Sequence, residues 1–225
     1  MKRLIIAAIA GLFLLSSCNL GEDVYTISNI TEYVTVTGEI LTDDYNNEFN
    51  ITEDLTDKGW KTDGKRILAQ FDILNRSLDI TLKAYNSVIV QSPVPHTPSE
   101  EEEVKDPVEI VDASLSPNGY LNMALKYYAK PETDCPHDII LGYNINEREL
   151  DLYLIHEGND ENPSKEDKSS LKEQYRVYSF PISGIIGSDS TINSIFLSAD
   201  VLTEEDGVYT VTTKKARLYT SNGTF

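Results

Sequence analysis

Cysteine is scarce in this chain of 225 residues, which has only Cys18 and Cys135. That excludes a disulfide-stapled scaffold. Basic residues are few, 19 Lys and Arg against 37 Asp and Glu, for a formal charge of −18. A polyanion binder needs a basic face, so nucleic acid is excluded as a partner. Long hydrophobic runs are missing apart from Leu4–Leu15, which is broken only by Gly11. A polytopic membrane protein needs several longer ones. No Gly-x-Ser-x-Gly elbow and no phosphate-cradling glycine loop is present. What remains is 40% apolar, enough for a packed core and too much for a disordered chain.

The amino terminus is the most informative segment. Lys2 and Arg3 precede the apolar run, which suits a signal-peptide core and is too short to span a bilayer as a helix. Leu15-Ser16-Ser17-Cys18 resembles a bacterial lipobox. The expectation is cleavage after residue 17 and lipidation of Cys18, with acyl chains that hold the protein to the outer membrane. Removing residues 1–17 takes two bases and no acid, so the charge becomes −20. Cys135 is then alone and reads as a small core or strand-end residue. Glu22-Asp23, just behind Cys18, resemble the surface-export signal of Bacteroides-type lipoproteins. The same acids read equally well as a solvated tether, which is expected over 18–30.

The rest of the chain alternates with period two. In Tyr33–Leu41, Val34, Val36 and Ile40 share a face; in Arg66–Leu74, Ile67, Ala69, Phe71 and Ile73 do. Leu78–Tyr85 alternates likewise, and Thr, Val, Ile and Tyr fit half-buried pleated surfaces. Residues 91–107 then hold four prolines and the run Glu100–Glu103, a connecting segment rather than a strand. Beyond it, Val108–Ser114 and Tyr120–Tyr128 flank Pro117-Asn118-Gly119, a hairpin with Leu121, Met123, Leu125 and Tyr127 inward. Asp138–Ile145 pairs with Leu150–Ile155, and Gln174–Pro181, Ser194–Val201 and Val208–Tyr219 complete the strands. Gly158–Ser170 reads as a long polar surface loop. The pattern predicts an all-β protein in two blocks with antiparallel sandwich or barrel packing.

Three stretches resemble NigD-like lipoproteins: Gly64–Asn75; Asp106–Asp112 with Gly119-Tyr120-Leu121-Asn122; and Leu152–Asp160 with Tyr178–Ile182. Together they cover most of the mature chain. The resemblance implies an amino-terminal OB-like barrel, over 31–104, followed by a carboxy-terminal antiparallel β-sandwich, over 105–225, on a lipid anchor. Family members often carry a tryptophan in the strand before Gly119-Tyr120, where this chain has Ala113-Ser114-Leu115. The family name comes from a bacteriocin locus, which implies envelope protection or immunity as one role.

Chemistry-bearing residues are sparse. His96 falls in the proline-rich segment and is expected to be solvated. Cys135-Pro136-His137 brings a thiol near an imidazole, and His156 can approach across a hairpin. Four zinc ligands at characteristic spacing are not there, so no metal and no cofactor is expected. The acid-rich stretches Asp43–Glu48 and Glu157–Asn162 lack calcium-loop spacing and read as solvated turns. Trp60, Tyr85, Tyr127, Tyr128 and Tyr153 are candidates for an exposed aromatic face, with core or cross-strand roles as the competing reading. Asp189-Ser190-Thr191 resembles a short O-glycosylation motif with Ser190 as acceptor. The expected function is a non-enzymatic interaction module. It is anchored through Cys18, faces the cell surface or the periplasm, and has a protein or glycan partner. The alternatives are a glycan-binding accessory lipoprotein and, last, a glycosidase-like enzyme with paired carboxylates.

Overall fold

The computed structural model describes residues 25–97, 106–131, 137–158, 160–189 and 191–219. Its strands are β1 (Ile27–Thr37), β2 (Ile40–Asp43), β3 (Glu48–Asp54), β4 (Arg66–Ile73), β5 (Asp79–Val90), β6 (Val94–Pro95), β7 (Glu109–Leu115), β8 (Tyr120–Ala129), β9 (Asp138–Asn146), β10 (Glu149–Glu157), β11 (Lys172–Pro181), β12 (Ser194–Glu205) and β13 (Val208–Leu218). One short helix, α1 (Ser183–Ser188), precedes β12, and Lys168–Ser170 form a single 3-10 turn in the long polar loop. The fold is all-β, as the period-two pattern predicts.

The first five strands close on themselves. β1 pairs with β2 and β4, β2 with β3, β4 with β5, and β3 returns to β5 in parallel. This ring encloses Val34, Val36, Leu41, Phe49, Trp60, Ile67, Phe71, Ile80 and Leu82. The segment read as one strand, Tyr33–Leu41, is a hairpin. Gly38 (φ +62°) turns the chain, so Leu41 rather than Ile40 is fully buried. Strand structure starts at Ile27, inside the expected tether.

The remaining strands form two facing layers around Leu121, Met123, Leu125, Phe180, Leu141, Leu150, Leu152, Ile195 and Leu197. One layer runs β5-β11-β8-β7 and the other β13-β12-β10-β9-β6. Packing is antiparallel in the hairpins, but β10–β12, β5–β11 and β6–β9 are parallel. The cause is connectivity: β11 lies in the opposite layer, so β12 reaches β10 by a crossover rather than a tight turn. Part of the expected connector is strand, because Val94 and Pro95 pair with Gly142 and Tyr143 at a sheet edge, where proline is tolerated. His96, expected in solvent, is half-buried. Its N–H donates to Tyr143 O at 2.8 Å, and its ring lies 5.1 Å from that of Tyr153. The expected boundary near residue 104 lies outside the described residues.

Candidate functional site

Two buried polar networks position the elements around one cleft. The first joins barrel to sandwich. Arg66, the first residue of β4, is 3% exposed and meets Asp44 at 2.6 Å. Its Nε donates to Ser179 on β11 at 2.9 Å, and Nη2 donates to Asn122 on β8 at 3.1 Å. Tyr120 covers the guanidinium at 4.1 Å. Asp44 also accepts from Asn122 and Asn118. The turn 43–48, read as solvated, therefore delivers a buried carboxylate, because only a paired charge survives there.

The second network ties the loop after β10 to the strand before β7. Asp106 accepts from the backbone of Gly158 and Asp160 and from Asn162 Nδ2. His156 Nδ1 lies 3.3 Å from Pro107 O, His156 Nε2 lies 2.9 Å from His137 Nδ1, and His137 Nε2 lies 3.0 Å from Glu161 Oε2. Both ends of this array are acceptors. Its three bonds need three protons, one more than two neutral rings carry. Glu161 also accepts from Lys130 N, and its hydrogen bonds hold it below the usual carboxylate range despite its burial. Burial, and then the positive charge on His137, push His156 down to about 4. Glu161 and Asn162, expected in solvent, are each 3% exposed. The two imidazole nitrogens are hydrogen-bonded to each other rather than converging on an ion, and the described residues contain no cluster of three or more metal-ligating side chains.

Tyr127 separates this array from the cleft. Its ring lies 4.8 Å from His156 and 5.3 Å from His137, and it also lines the cleft. The cleft, of about 630 Å³, opens between β7 and the β12–β13 hairpin. Its floor is apolar: Ile110, Ala113, Leu197, Ala199, Ala216 and Leu218. The layers part there because alanines stand where larger side chains would fill the gap. At one end Lys168, from the 3-10 turn, donates to Tyr209 OH at 2.8 Å and lies 5.8 Å from the Tyr128 ring. No Ser, Thr or Cys is among the described residues that line the cleft.

The model of the NigD-like C-terminal beta sandwich domain matches residues 92–213. The chain belongs to the NigD-like family. None of the curated proteins matches it. Among solved structures, a protein of unknown function from Bacteroides vulgatus superposes with a TM-score of 0.60 at 16% identity, over 84% of this chain and 90% of that one. A protein described as a lipoprotein from Bacteroides fragilis gives 0.58 at 14%, over 86% and 99%. A NigD-like immunity protein from Bacteroides caccae gives 0.54 at 16%, over 87% and 99%. At such identities the likeness shows the fold. Among the described residues no helix is long and apolar enough to cross a membrane.

The stretches that carry the NigD-like resemblance meet in the two networks. Arg66, Asn122 and Ser179 build the first, while Asp106, Pro107, His156 and Asp160 contribute to the second. Ala113, on the strand where NigD-like proteins often carry tryptophan, lines the cleft. Of the expected aromatic face, Trp60 is fully buried in the barrel with Nε1 on Asp54, and Tyr127 is 7% exposed. For both, the competing core reading holds: Tyr127 is on the inward row of β8, and Trp60 packs into the barrel from the segment between β3 and β4. Tyr85 is half-buried against Asp57 and Tyr153 against His96, which leaves Tyr128 at the cleft. Lys168, Tyr209 and Lys214 were not singled out by sequence, because nothing local marks a loop lysine as a wall residue. Cys18, Cys135, Ser190 and Glu22-Asp23 lie outside the described residues.

Proposed function

We propose that this NigD-like protein is a lipid-anchored, non-enzymatic binding module of the outer membrane, and that its site is the cleft between β7 and the β12–β13 hairpin. The observation that carries this reading is the cleft itself. It falls within the size range of ligand pockets and combines an apolar floor with lysines, glutamates and tyrosines around it. Cys18 is the anchor in this reading, and Ser190 is an O-glycan acceptor. The acidic charge disfavours nucleic acid, leaving a small molecule, glycan or protein as partner. Tyr128 and Tyr209 beside the 158–170 loop favour a glycan as the second reading. Envelope protection is a role such binding can serve, and a structural relative from Bacteroides caccae is called an immunity protein.

Two measurements test this. Labelled palmitate is expected to enter the wild-type protein and not Cys18→Ala, and equal labelling would remove the anchor. Native mass spectrometry of protein released from envelopes is expected to show a bound molecule that Ala113→Trp excludes. An identical spectrum from a folded Ala113→Trp protein would remove the cleft as the site.

A further inference from the structure

Residues 106–108 form a strap that leads into β7, and Pro107 lines the cleft beside Glu109 and Ile110. Backbone bonds hold the strap on both sides. Asp106 N–H donates to His156 O on β10 at 3.2 Å, and Val108 N–H donates to Asp200 O on β12 at 2.8 Å. Between them Pro107 has no N–H to give. Its carbonyl lies 3.3 Å from His156 Nδ1.

The proton count around that ring is short by one. The Pro107 carbonyl and the Glu161 carboxylate, at the two ends of the array, only accept. Between them His156 Nε2 and His137 Nδ1 face each other at 2.9 Å. Two neutral rings supply two protons for three bonds. Water is shut out from the gap: His156 is 1% exposed, and the His137 and Glu161 side chains are each 3% exposed. The Gly158 backbone closes one side, where a Cβ would fall 2.8 Å from His156 Nε2 and 3.0 Å from His137 Nδ1. The Tyr127 ring packs against both imidazoles. A bond left unmade here costs the desolvation of its atoms. A third proton completes all three bonds, and Glu161, 3.0 Å from His137 Nε2, balances its charge. Among the described residues two other charged groups face the pair. The Asp106 carboxylate accepts from Gly158, Asp160 and Asn162, and the Lys130 ammonium is drawn to Glu166 at 2.6 Å.

We propose that His137 and His156 hold one additional proton between them, and that this proton latches the strap at the rim of the cleft. While it is present, all three bonds form. When it leaves as pH rises, the bond given up is the longest, at Pro107. The alternatives set a nitrogen lone pair against the Glu161 anion or against the other ring. The strap loosens, and with it the start of β7, one wall of the cleft. The rim is therefore held at lower pH and freed at higher pH, whatever the cleft binds. The second proton, which His156 takes up at about 4, is a separate and more acidic event.

The test is nuclear magnetic resonance of the chain lacking residues 1–17 and carrying Cys18→Ser, with His96→Gln to assign the ring signals. At about pH 6, three slowly exchanging ring N–H protons are expected from His137 and His156. One is lost in a single step as pH rises. Amide exchange at Asp106 and Val108, corrected for its intrinsic rate, is expected to speed up about threefold to tenfold with the same midpoint. Glu161→Gln keeps an acceptor oxygen but removes the countercharge, so both midpoints move down by about one to three pH units. A merely structural role for Glu161 would weaken the strap without moving a midpoint, and that result overturns the proposal. Two ring protons at every pH overturn the shared proton. A proton step that leaves exchange at Asp106 and Val108 unchanged overturns the latch.

Discussion

Burial shifts two single groups in opposite directions, one in each unit. Glu32 lies on β1, and burial, then the charges of Asp43 and Asp44, raise it to about 7. Its folded form holds a proton that the unfolded chain has released above its usual value of 4.5. Stability from this group is therefore lost as pH rises from 4.5 through 7. Glu32→Gln is expected to stabilise the protein by about 2 kcal/mol at pH 8 and by almost nothing at pH 4. Urea unfolding at the two pH values measures the difference, and equal effects would mean that Glu32 titrates normally. His156 has the reverse sign. Lowered from 6.5 to about 4, it binds its second proton in the unfolded chain first, so acidification from 6.5 to 4 destabilises. The loss is about 3 kcal/mol over that interval. His156→Gln is expected to flatten the acid limb of the stability profile by that amount, whatever its constant cost. An unchanged slope would show that the imidazole is accessible to protons in the folded state.

At the scale of elements, the β7–β8 turn and α1 are one unit. Gly119 (φ +81°) accepts hydrogen bonds from the backbone of Ile182 and Ser183, and a Cβ placed on it would fall 2.4 Å from Ser183 Cβ and 2.9 Å from Ser183 Cα. Gly38 shares the left-handed backbone (φ +62°) but has open space around it. Gly38→Ala is therefore expected to cost about 1 kcal/mol, the conformational penalty alone. Gly119→Ala should cost about 3 kcal/mol, because either the turn or α1 must move. Denaturant midpoints at constant slope check the pair, and equal losses would mean α1 is not docked on the turn. The same elements show what a sequence makes legible. Leu121, Met123, Leu125 and Tyr127 alternate over a whole strand between clear turn residues, and all four are buried. Gly38-Glu39 is a weaker turn signal, so two strands read as one. β6 is two residues long and contains a proline, too short for any period. The cleft was illegible for a different reason. Lys168, Tyr209 and Lys214 come from a loop and a hairpin, and only the tertiary fold brings them beside Ala113. Asp44 and Arg66 are likewise joined by packing, although Arg66, Asn122 and Ser179 each stand in a stretch that resembles the family.

The whole molecule depends on how barrel and sandwich are joined. β5 belongs to both: its first part closes the ring with β3, and Val88–Val90 pair with Val177–Ser179. The Arg66–Asp44 pair lies beside that crossing, bonded to Asn122 and Ser179. Removing the guanidinium leaves Asp44 buried at 6% exposure without its countercharge, at a cost of about 3 kcal/mol or more. Asp44 belongs to the barrel, so most of that cost falls there, and the barrel also has the smaller of the two cores. Trp60 is the chain's one tryptophan and is fully buried in the barrel, so its fluorescence reports barrel unfolding while far-ultraviolet dichroism reports both units. In the wild type the two signals are expected to follow one urea transition, the mark of a cooperative unit. In Arg66→Met the tryptophan transition should move to lower urea and separate from the remaining dichroism change. Arg66→Met combined with Asp44→Leu should bring the two signals back toward coincidence, because no unpaired charge is left behind. If they still coincide in Arg66→Met, the shared strand β5 couples the units by itself and the buried pair adds stability without adding cooperativity.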